Sequence, residues 1–528
     1  MRNKFLPVFI LIFIFSIRPV LSQHTYYVSK DGKDSNNGFN INNAFLTLQK
    51  AANTVSAGDS VIVLNGNYAG FDIRTSGMQN SPIVFKALNQ NVVIDQPNYK
   101  TNDGINIENA DWVVIDGFEV INQPRAGIRA AVSDFIVIKN NYCSQNNYWG
   151  IFTGFTNNIL IENNICSYSV QQHGIYVSNS GDRPVVRYNE CFGNNGCGIQ
   201  LNADVSQGGD GIISNAVISG NILHDNGTGG GSAINLDGVQ NSVIYNNLIY
   251  NNHATGIALF MIDGAEGSRN NKVYNNTIIN PADARWAMLI NNGSTGDTLY
   301  NNIFINHHNF RGSISVDASS INNFFSDYNI VVDRLSNNDG ETNMSLADWQ
   351  KLGYDLHSRL AAPEDRLFVS SALGDFHLIA GAQAINTGTP LVSNIVLNDI
   401  NDISRPQGNG FDIGAYEYSV STGIAKEEEV TDNFRLYQNY PNPFNPSTEI
   451  KYYIPKTSFV SLIVYNILGK EIITLVNEVQ SQGFHEVTFS TENIAKGVQL
   501  NTGNASGVYI CRLLAGNYSA SKKLVLLK

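Results

Sequence analysis

Charge is scarce in this chain of 528 residues, of which only 15% are Asp, Glu, Lys or Arg. The net charge is −12 and no block of basic residues occurs, so the composition argues against a nucleic-acid partner. Cysteine is also rare, and the odd total of five does not indicate a disulfide framework. After residue 22 no apolar run is long enough to cross a membrane, so we expect no transmembrane segment in the mature chain.

What the chain does contain is a repeat. A small residue, an apolar residue, a variable residue and usually a second apolar residue recur, beginning at Gly104, Gly127, Gly150, Gly174, Gly198, Ala233, Gly256 and Ala287. The intervals are 23, 23, 24, 24, 35, 23 and 31 residues, a period typical of a solenoid. Short runs of alternating or β-branched apolar residues, broken by Asn and Gly, predict that each unit consists of strands and turns.

A second pattern of asparagines runs beside the first, each just before a short apolar run: Asn141, Asn164, Asn189, Asn221, Asn247, Asn276 and Asn302. Asparagine tolerates the left-handed turn conformation, and its side chain can bond the backbone or an asparagine one coil away. We therefore expect a ladder of stacked asparagines at a corner of the solenoid, where it satisfies buried polar groups. Three cysteines that follow at the same spacing are predicted to stack inside: Cys143, Cys166 and Cys191.

The period and the asparagines over roughly residues 25 to 335 resemble a right-handed parallel β-helix of the pectate-lyase-like superfamily. The resemblance implies an all-β fold, in which a β-helix solenoid with an N-terminal cap (23–335) is followed by a closing segment (336–418). It does not name an activity, because this architecture carries lyases, hydrolases, epimerases, tailspikes and adhesins.

Both ends of the chain carry targeting features. Residues 1–22, with a positive start and an apolar run from Phe5 to Ile17, are predicted to be a cleaved secretory signal peptide. After a charged linker at 419–433, residues 434–528 predict a small β-sandwich and resemble the C-terminal sorting domain of the type IX secretion system. That resemblance implies type IX machinery as a partner, and a protein secreted or held at the outer-membrane surface of a Gram-negative, Bacteroidetes-like bacterium.

One face of the predicted solenoid concentrates the polar and aromatic side chains. If the repeated isoleucines point inward, the alternating residues point outward. Five of these, or of the residues just before the strands, are predicted to bind a polysaccharide by stacking on sugars or bonding hydroxyls: Trp149, Phe152, Gln200, Asn202 and Asn235. We expect a monomer.

Three functions compete for this face, and a polysaccharide lyase that cleaves a uronate-containing glycan by β-elimination is preferred. Elimination needs a group that moves a proton and a cation that neutralises the enolate. The first role is predicted for His173 or Tyr176, and the second for Arg129 or Arg183. Asp237 and Asp210 are predicted to act in acid–base chemistry or to bind a cation. The possible cofactor is calcium, with the predicted ligands Asp204, Asp210, Asp237 and Asp263.

The alternatives are a glycoside hydrolase and a cell-surface protein that binds or adheres to glycans without catalysis. A hydrolase would use two carboxylates, for which Asp210 and Asp237 are the candidates. The third function would use the same aromatic and amide side chains without a proton transfer.

Overall fold

The computed structural model describes residues 23–89, 91–419 and 434–526, the last range with gaps at 438, 440–441, 443, 445, 467–470, 491–506 and 516–517. The predicted signal peptide and nearly all of the predicted linker lie outside the described residues. The chain divides into two compact units. The first runs to Leu299 and adds Phe304–Ser326 and Val332–Tyr354; the second holds Tyr300–Ile303, Asp327–Val331 and the chain from Asp355 onward.

The first unit is a right-handed parallel β-helix, which confirms the predicted fold class. Successive coils add one strand to each of three parallel sheets. The sheet that carries the predicted site, here called the site sheet, has eleven strands within the described chain, paired in parallel register from coil to coil. In chain order these are β1 (Phe71–Ile73), β2 (Ile105–Glu108), β3 (Ala126–Ala131), β4 (Trp149–Gly154), β5 (Ile175–Ser178), β6 (Ile199–Asn202), β7 (Ser232–Asp237), β8 (Thr255–Phe260), β9 (Met288–Ile290), β10 (Ile314–Val316) and β11 (Leu335–Ser336).

Two flanking sheets complete each coil. The strands of the first are Thr25–Val28, Ser60–Val63, Ile83–Ala87, Val113–Asp116, Val137–Lys139, Leu160–Glu162, Val185–Arg187, Val217–Ser219, Val243–Tyr245 and Lys272–Tyr274. Those of the second are Gly66–Ala69, Val92–Gln96, Glu119–Ile121, Tyr142–Ser144, Ile165–Ser167, Glu190–Phe192, Ile222–His224, Leu248–Tyr250 and Thr277–Asn280. Ile213–Ser214 and Val239–Gln240 form a separate pair.

The remaining elements are short. Further strands span Thr298–Tyr300, Ile303–Asn306, Phe325–Asp327, Ile330–Val331, Arg359–Leu360, Phe368–Ser370 and Asp375–Leu378. Two short α-helices occur in the described residues: α1 (Leu48–Ala52), capped by the Thr47 side chain, and α2 (Leu346–Lys351), capped by the Ser345 side chain. Single 3-10 turns lie at Ile41–Asn43, Val205–Gln207, Glu364–Arg366, Ser371–Leu373 and Pro390–Val392. None of the helices in the described ranges has the length and apolar character to span a membrane.

The predicted register of the site sheet is confirmed. Ile128, Ile151, Ile175, Ile199 and Ile234 pair with one another from coil to coil. All five are 0% exposed. Burying the apolar side chains of consecutive coils in one continuous core is what stabilises a solenoid whose single coils cannot fold alone.

The asparagine ladder is also confirmed. From Asn141 to Asn247, the backbone N–H and the side-chain Nδ2 of each asparagine donate to the Oδ1 of the next one, as from Asn164 to Asn189 at 2.9 and 3.0 Å. The Nδ2 group also donates to a main-chain carbonyl, for example from Asn247 to Ile218 at 3.0 Å. Thus every rung satisfies backbone groups that a tight, buried corner would otherwise leave without partners.

The inward cysteine stack is confirmed as well. Cys143 pairs with Cys166 and Cys166 with Cys191 across neighbouring strands. All five cysteines are free and buried. The stacked thiols therefore act as small apolar side chains in the core.

The second unit contains antiparallel sheets and a buried ion pair. Its C-terminal part contains antiparallel strands at Arg435–Leu436, Ser447–Ile454, Ser458–Asn466, Glu471–Gln480, Gly483–Ser490, Gly507–Ala515 and Tyr518–Leu526. These strands form two sheets around one apolar core, as a small sandwich does. In the closing segment, Arg405 and Glu417 form an ion pair of 2.8 Å whose side chains are 0% and 1% exposed.

Candidate functional site

The outward column of the site sheet carries one functional side chain per coil. Register places the following residues side by side along β2 to β7: Asn106, Arg129, Phe152, Tyr176, Gln200 and Asn235. Parallel coils lie about 4.8 Å apart, so neighbouring members of the column are within reach of one ligand. The structure therefore brings most of the predicted site residues onto one face.

Aromatic rings form the centre of this face. Trp149 lies 4.6 Å from Phe152 and 5.8 Å from Tyr176, measured between ring centroids. Phe152 and Tyr176 meet edge to face at 5.5 Å. His173 joins them with its ring 5.3 Å from that of Tyr176. We call these four residues the aromatic cluster. It presents a half-buried platform of the kind that stacks on sugar rings.

Two buried polar atoms beside the cluster have no hydrogen-bond partner within the described protein. They are Nε1 of Trp149, which is a donor, and Oδ1 of Asn202, which is an acceptor. Most buried polar side-chain atoms in folded proteins are paired, so such atoms call for an explanation. Both atoms lie below the surface that a ligand on this face would contact.

The imidazole of His173 is held in one tautomer. Its Nδ1 accepts the backbone N–H of Cys197 at 2.9 Å, which places the proton of the neutral ring on Nε2. Burial lowers the pKa of His173 to about 4, so the ring is neutral at neutral pH. With Nε2 already protonated, His173 is suited to donate a hydrogen bond and not to accept a proton. The predicted role as a base thus loses support, although its position is as expected.

The phenol of Tyr176 stays protonated. Burial raises its pKa to about 12, and the nearby carboxylates Asp263, Asp204 and Asp237 act in the same direction. The Asn202 amide bridges the ring to the neighbouring loop: its Nδ2 lies 3.3 Å from the Tyr176 hydroxyl and donates to Oδ2 of Asp263 at 3.0 Å. This arrangement suits Tyr176 as a proton donor at neutral pH.

The side-chain amides of the next two coils, those of Gln200 and Asn235, each accept one hydrogen bond from a neighbouring side chain. The Ser232 hydroxyl donates to Oδ1 of Asn235 at 2.9 Å, and the Cys197 thiol donates to Oε1 of Gln200 at 3.3 Å. In both residues the amide NH₂ group has no partner within the described residues. These side chains therefore present donors to a ligand.

Asp237 is a structural residue in this geometry. Its carboxylate is 1% exposed and accepts three backbone N–H groups, from Ile262, Asp263 and Gly264, at 2.9 to 3.1 Å. Burial raises its pKa in spite of these hydrogen bonds. The carboxylate thereby fixes the loop after β8, which leaves it little capacity for acid–base or metal chemistry. The catalytic and ligand roles predicted for it stay untested, and the geometry does not favour them.

The other predicted metal ligands do not converge. Asp204 accepts the N–H and hydroxyl of Ser206, and Asp210 accepts the N–H of Ile212, so each caps its own loop. No group of three or more His, Cys, Asp or Glu side chains suited to a metal occurs in residues 23–89, 91–419 or the described part of 434–526. The residues present thus do not fit a calcium ion, and no chemistry here is routed through one.

Arg129 lies two coils before Tyr176 and belongs to a charged group. Its Nη1 donates to Oδ1 of Asn106 at 2.7 Å, and its Nη2 lies 3.7 Å from Oε1 of Glu108. Burial lowers the pKa of this guanidinium. Two coils correspond to about 10 Å, so Arg129 is placed to pair with a ligand group next to the one at Tyr176.

Sequence reasoning missed some members of this site. Asp263 was predicted only as a metal ligand, a role that stays untested, and the structure shows its carboxylate accepting the Asn202 amide beside the Tyr176 hydroxyl. Cys197 orients Gln200 and lies two residues before β6. Ser232 orients Asn235 and is the first residue of β7. They repeat with the coil period, so their positions relative to the outward column offered a usable indication.

Comparison with known proteins agrees with the fold. A family model described as "Right handed beta helix region" matches residues 84–208, and one described as "Secretion system C-terminal sorting domain" matches residues 438–527. No curated protein sequence matches the chain.

Solved structures are similar at low sequence identity. The crystal structure of pectate lyase Pel9A superposes with a TM-score of 0.51 at 17% identity, covering 75% of this chain and 97% of that one. A rhamnogalacturonan lyase gives 0.38 at 15% identity, covering 68% and 95%. An alginate lyase from Paenibacillus sp. gives 0.37 at 17%, covering 50% and 93%. At this identity the likeness concerns the fold alone. The chain is a right-handed parallel β-helix protein that carries a C-terminal sorting domain and is secreted through the type IX system of the Bacteroidetes.

Proposed function

We propose that this protein is a secreted carbohydrate-active protein that binds a polysaccharide along the outer face of β3 to β7. The observation that carries the proposal is the aromatic cluster, with Arg129 on one side and the amides of Gln200 and Asn235 on the other. Rings stack on pyranose faces, while amides and the guanidinium bond hydroxyl or carboxylate groups.

The reaction we propose for this face is β-elimination on a uronate-containing glycan. A base removes the proton next to the uronate carboxyl, the bond to the leaving sugar oxygen breaks, a carbon–carbon double bond forms, and the leaving oxygen gains a proton. Tyr176, protonated at neutral pH, supplies that last proton. The exposed carboxylate of Asp263 lies on the same edge and is the group that we assign as proton acceptor.

The glycoside hydrolase is less well supported than the lyase. It requires two carboxylates that face one glycosidic bond. Asp237 is buried and occupied by three backbone N–H groups, and Asp210 caps its own exposed loop. This pair therefore lacks the free, facing oxygens that hydrolysis needs.

The test is a screen of the purified full-length protein against uronate-containing and neutral polysaccharides. Elimination gives an unsaturated product whose ultraviolet absorbance rises with time, while hydrolysis gives reducing ends without that absorbance. We expect Tyr176→Phe to lower the rate by at least a hundredfold, within the range of acid–base contributions. The matched control is Tyr142→Phe, which changes a tyrosine on the second flanking sheet.

The outcomes separate the functions. Absorbance that depends on Tyr176 supports the lyase. Reducing sugar without absorbance overturns elimination in favour of hydrolysis. Binding without turnover reduces the proposal to glycan recognition, and failure to bind any polysaccharide overturns it entirely.

A further inference from the structure

A second cavity opens in the first unit, near the start of β8 and β9. Its volume is about 320 Å³, and it is lined by Thr255, Arg285, Trp286, Leu289, His308, Phe310, Arg311, Asp339 and Gly340. Leu289 belongs to the same outward column as Tyr176, four coils further along. Four coils correspond to about 19 Å, so the cavity lies on the polysaccharide-binding face but outside the aromatic cluster.

Aromatic groups give this cavity an apolar wall. Trp286 is 5% exposed, whereas Phe310 is 45% exposed. Gly340 packs directly against the indole, with a left-handed φ of +80°, and a Cβ at this position would lie 2.8 Å from the indole Nε1. Only glycine fits this conformation and this distance, so the loop at Gly340 can pack directly against the indole.

Two arginines make the cavity positive. The guanidinium groups of Arg285 and Arg311 form no ion pair or hydrogen bond with any residue in the described part of the chain. The nearest competing acid in sequence, Asp283, pairs with His253 at 2.8 Å. Asp339, the acidic residue of the lining, accepts from the Asn291 amide at 3.3 Å. In a chain of net charge −12, two arginines that are left unpaired at one cavity indicate an anionic ligand.

The backbone that carries Arg311 is fixed by hydrogen bonds from neighbouring side chains. Nδ1 of His308 accepts the backbone N–H groups of both Phe310 and Arg311, at 3.0 and 2.9 Å. Arg334 donates to the Arg311 carbonyl at 3.1 Å. These hydrogen bonds fix the backbone from which the Arg311 side chain projects before any ligand binds.

The carbonyl of Arg285 is fixed in the same way. It accepts from the amides of Asn280 and Asn306, at 3.2 and 2.6 Å. A third amide, that of Asn343, donates to the Phe310 carbonyl at 2.6 Å. Both arginine-bearing corners thus have a defined backbone although neither follows the coil period.

We propose that this cavity binds one anionic pyranose unit, with its ring against Trp286 and Phe310 and its acidic group paired with Arg285 and Arg311. The acidic group is a carboxylate or a sulfate ester, since a guanidinium binds both through parallel N–H donors. The inference deepens the proposed function, because the unit belongs to the same glycan and lies four coils from the aromatic cluster. The cavity then selects for charge on a sugar that is not itself cleaved.

The experiment measures binding of short oligosaccharides to the full-length protein by calorimetry and by tryptophan fluorescence. The probes are a galacturonate trisaccharide, a sulfated trisaccharide and a neutral xylose trisaccharide. We expect an anionic probe to bind and the neutral one to bind at least tenfold more weakly. Arg285→Gln and Arg311→Gln should each weaken anionic binding by roughly tenfold to a hundredfold, as expected for the loss of a charge-assisted hydrogen bond.

Two controls isolate the cavity. Arg366→Gln removes an exposed arginine of the second unit and should leave binding unchanged. Trp286→Phe should abolish the fluorescence response of this cavity, and it should weaken the anionic binding measured by calorimetry because the smaller ring keeps only part of the apolar wall. Melting curves verify that each variant is folded.

The outcomes also separate this inference from the proposed function. If Tyr176→Phe stops turnover and leaves trisaccharide binding intact, both stand. If no polysaccharide is cleaved but anionic binding depends on Arg285 and Arg311, the cavity stands without the lyase. Equal binding of neutral and anionic probes, no binding at all, or unchanged binding in both arginine variants overturns the cavity. Preference for the uronate or the sulfated probe identifies the acidic group.

Discussion

The corner of the β-helix and the closing segment both bury polar backbone groups, but the corner pairs them with neutral amides and the closing segment pairs them with charged side chains. At the corner, neutral amides pair with one another, as Asn221 does with Asn247 at 2.9 Å. In the closing segment, Arg405 donates to the Gly414 carbonyl at 2.8 Å and pairs with a fully buried carboxylate, Glu417. Both arrangements satisfy buried backbone groups, yet only the first is repeated.

The difference follows from the hydrogen-bonding capacity of the side chains. Asparagine donates and accepts, so a copy of it can stack on itself indefinitely. A carboxylate accepts only and a guanidinium donates only, so they must occur together and cannot form a ladder of one residue type. A ladder that repeats from coil to coil is therefore built from amides, whereas charged side chains are found where a buried contact is not repeated.

The largest effect is expected from breaking the buried ion pair of the closing segment. Replacing Arg405 by Met should destabilise the second unit by about 3–5 kcal/mol, because Glu417 would remain as a buried charge without its partner. Chemical denaturation measures this loss. Arg366→Met, at an exposed position, is the matched control and should change little. A loss below about 1 kcal/mol would contradict the buried ion pair.

Breaking one rung of the amide ladder should cost somewhat less. Asn247→Leu removes the acceptor for the N–H and Nδ2 of Asn221, and leaves the Ile218 carbonyl without its donor. We expect a loss of about 3 kcal/mol, the upper end for buried groups left unsatisfied. Thermal and denaturant unfolding should both report it, and the exposed Asn322→Leu should be nearly neutral. Equal stability of the two variants would show that the ladder contributes nothing.

A carboxylate within the β-helix gives the third prediction. Asp237→Asn replaces one oxygen by an NH₂ group, so at least one of the three loop N–H groups loses its acceptor. We expect about 1–2 kcal/mol of destabilisation, with turnover largely retained at temperatures well below unfolding. Lost turnover at an unchanged melting temperature would instead restore the catalytic role first predicted for Asp237.

The last prediction concerns the pH dependence of stability at a carboxylate that ends an amide ladder. Asp297 accepts from the N–H and Nδ2 of Asn271, and burial raises its pKa from 3.8 to about 8. Between about pH 4 and 8 the folded state keeps a proton that the unfolded state has lost, so stability falls as the pH rises through this window. Asp297→Asn should remove this dependence and be the more stable protein at pH 8. Melting curves of both proteins at pH 5 and pH 8 measure this effect. If the difference in stability between the two proteins is the same at both pH values, the prediction is wrong.

The periodic part of the molecule could be predicted from the sequence. Once Ile128 and Ile151 were aligned, the outward column followed, and with it the neighbourhood of Phe152, Tyr176 and Gln200. A second ladder, which includes Asn194, Asn226 and Asn252, was missed although it lies five residues after the first. The information was present, because both ladders share one period.

The roles of single side chains could not be predicted in the same way. Nothing in the sequence shows that the loop after β8 would aim three N–H groups at Asp237, or that the Cys197 N–H would occupy Nδ1 of His173. The cavity lined by two arginines was missed because Phe310, Arg311 and Gly340 come from loops without a period. Such contacts depend on the path of irregular backbone, which local propensity does not determine.

The amide ladders also have a direction, and this makes the β-helix extensible. Each rung donates toward the C-terminus, and in the second unit Asn302 donates to Asn329, whose Nδ2 donates to Asp355 at 2.9 Å. A carboxylate there accepts without passing the bond on, as Asp297 does in its own ladder. A whole coil can thus be inserted or deleted between an amide and its neighbour while the acceptor at the end stays the same. The number of coils, and with it the length of the outward face, is therefore free to change in evolution or by design without rebuilding either terminus.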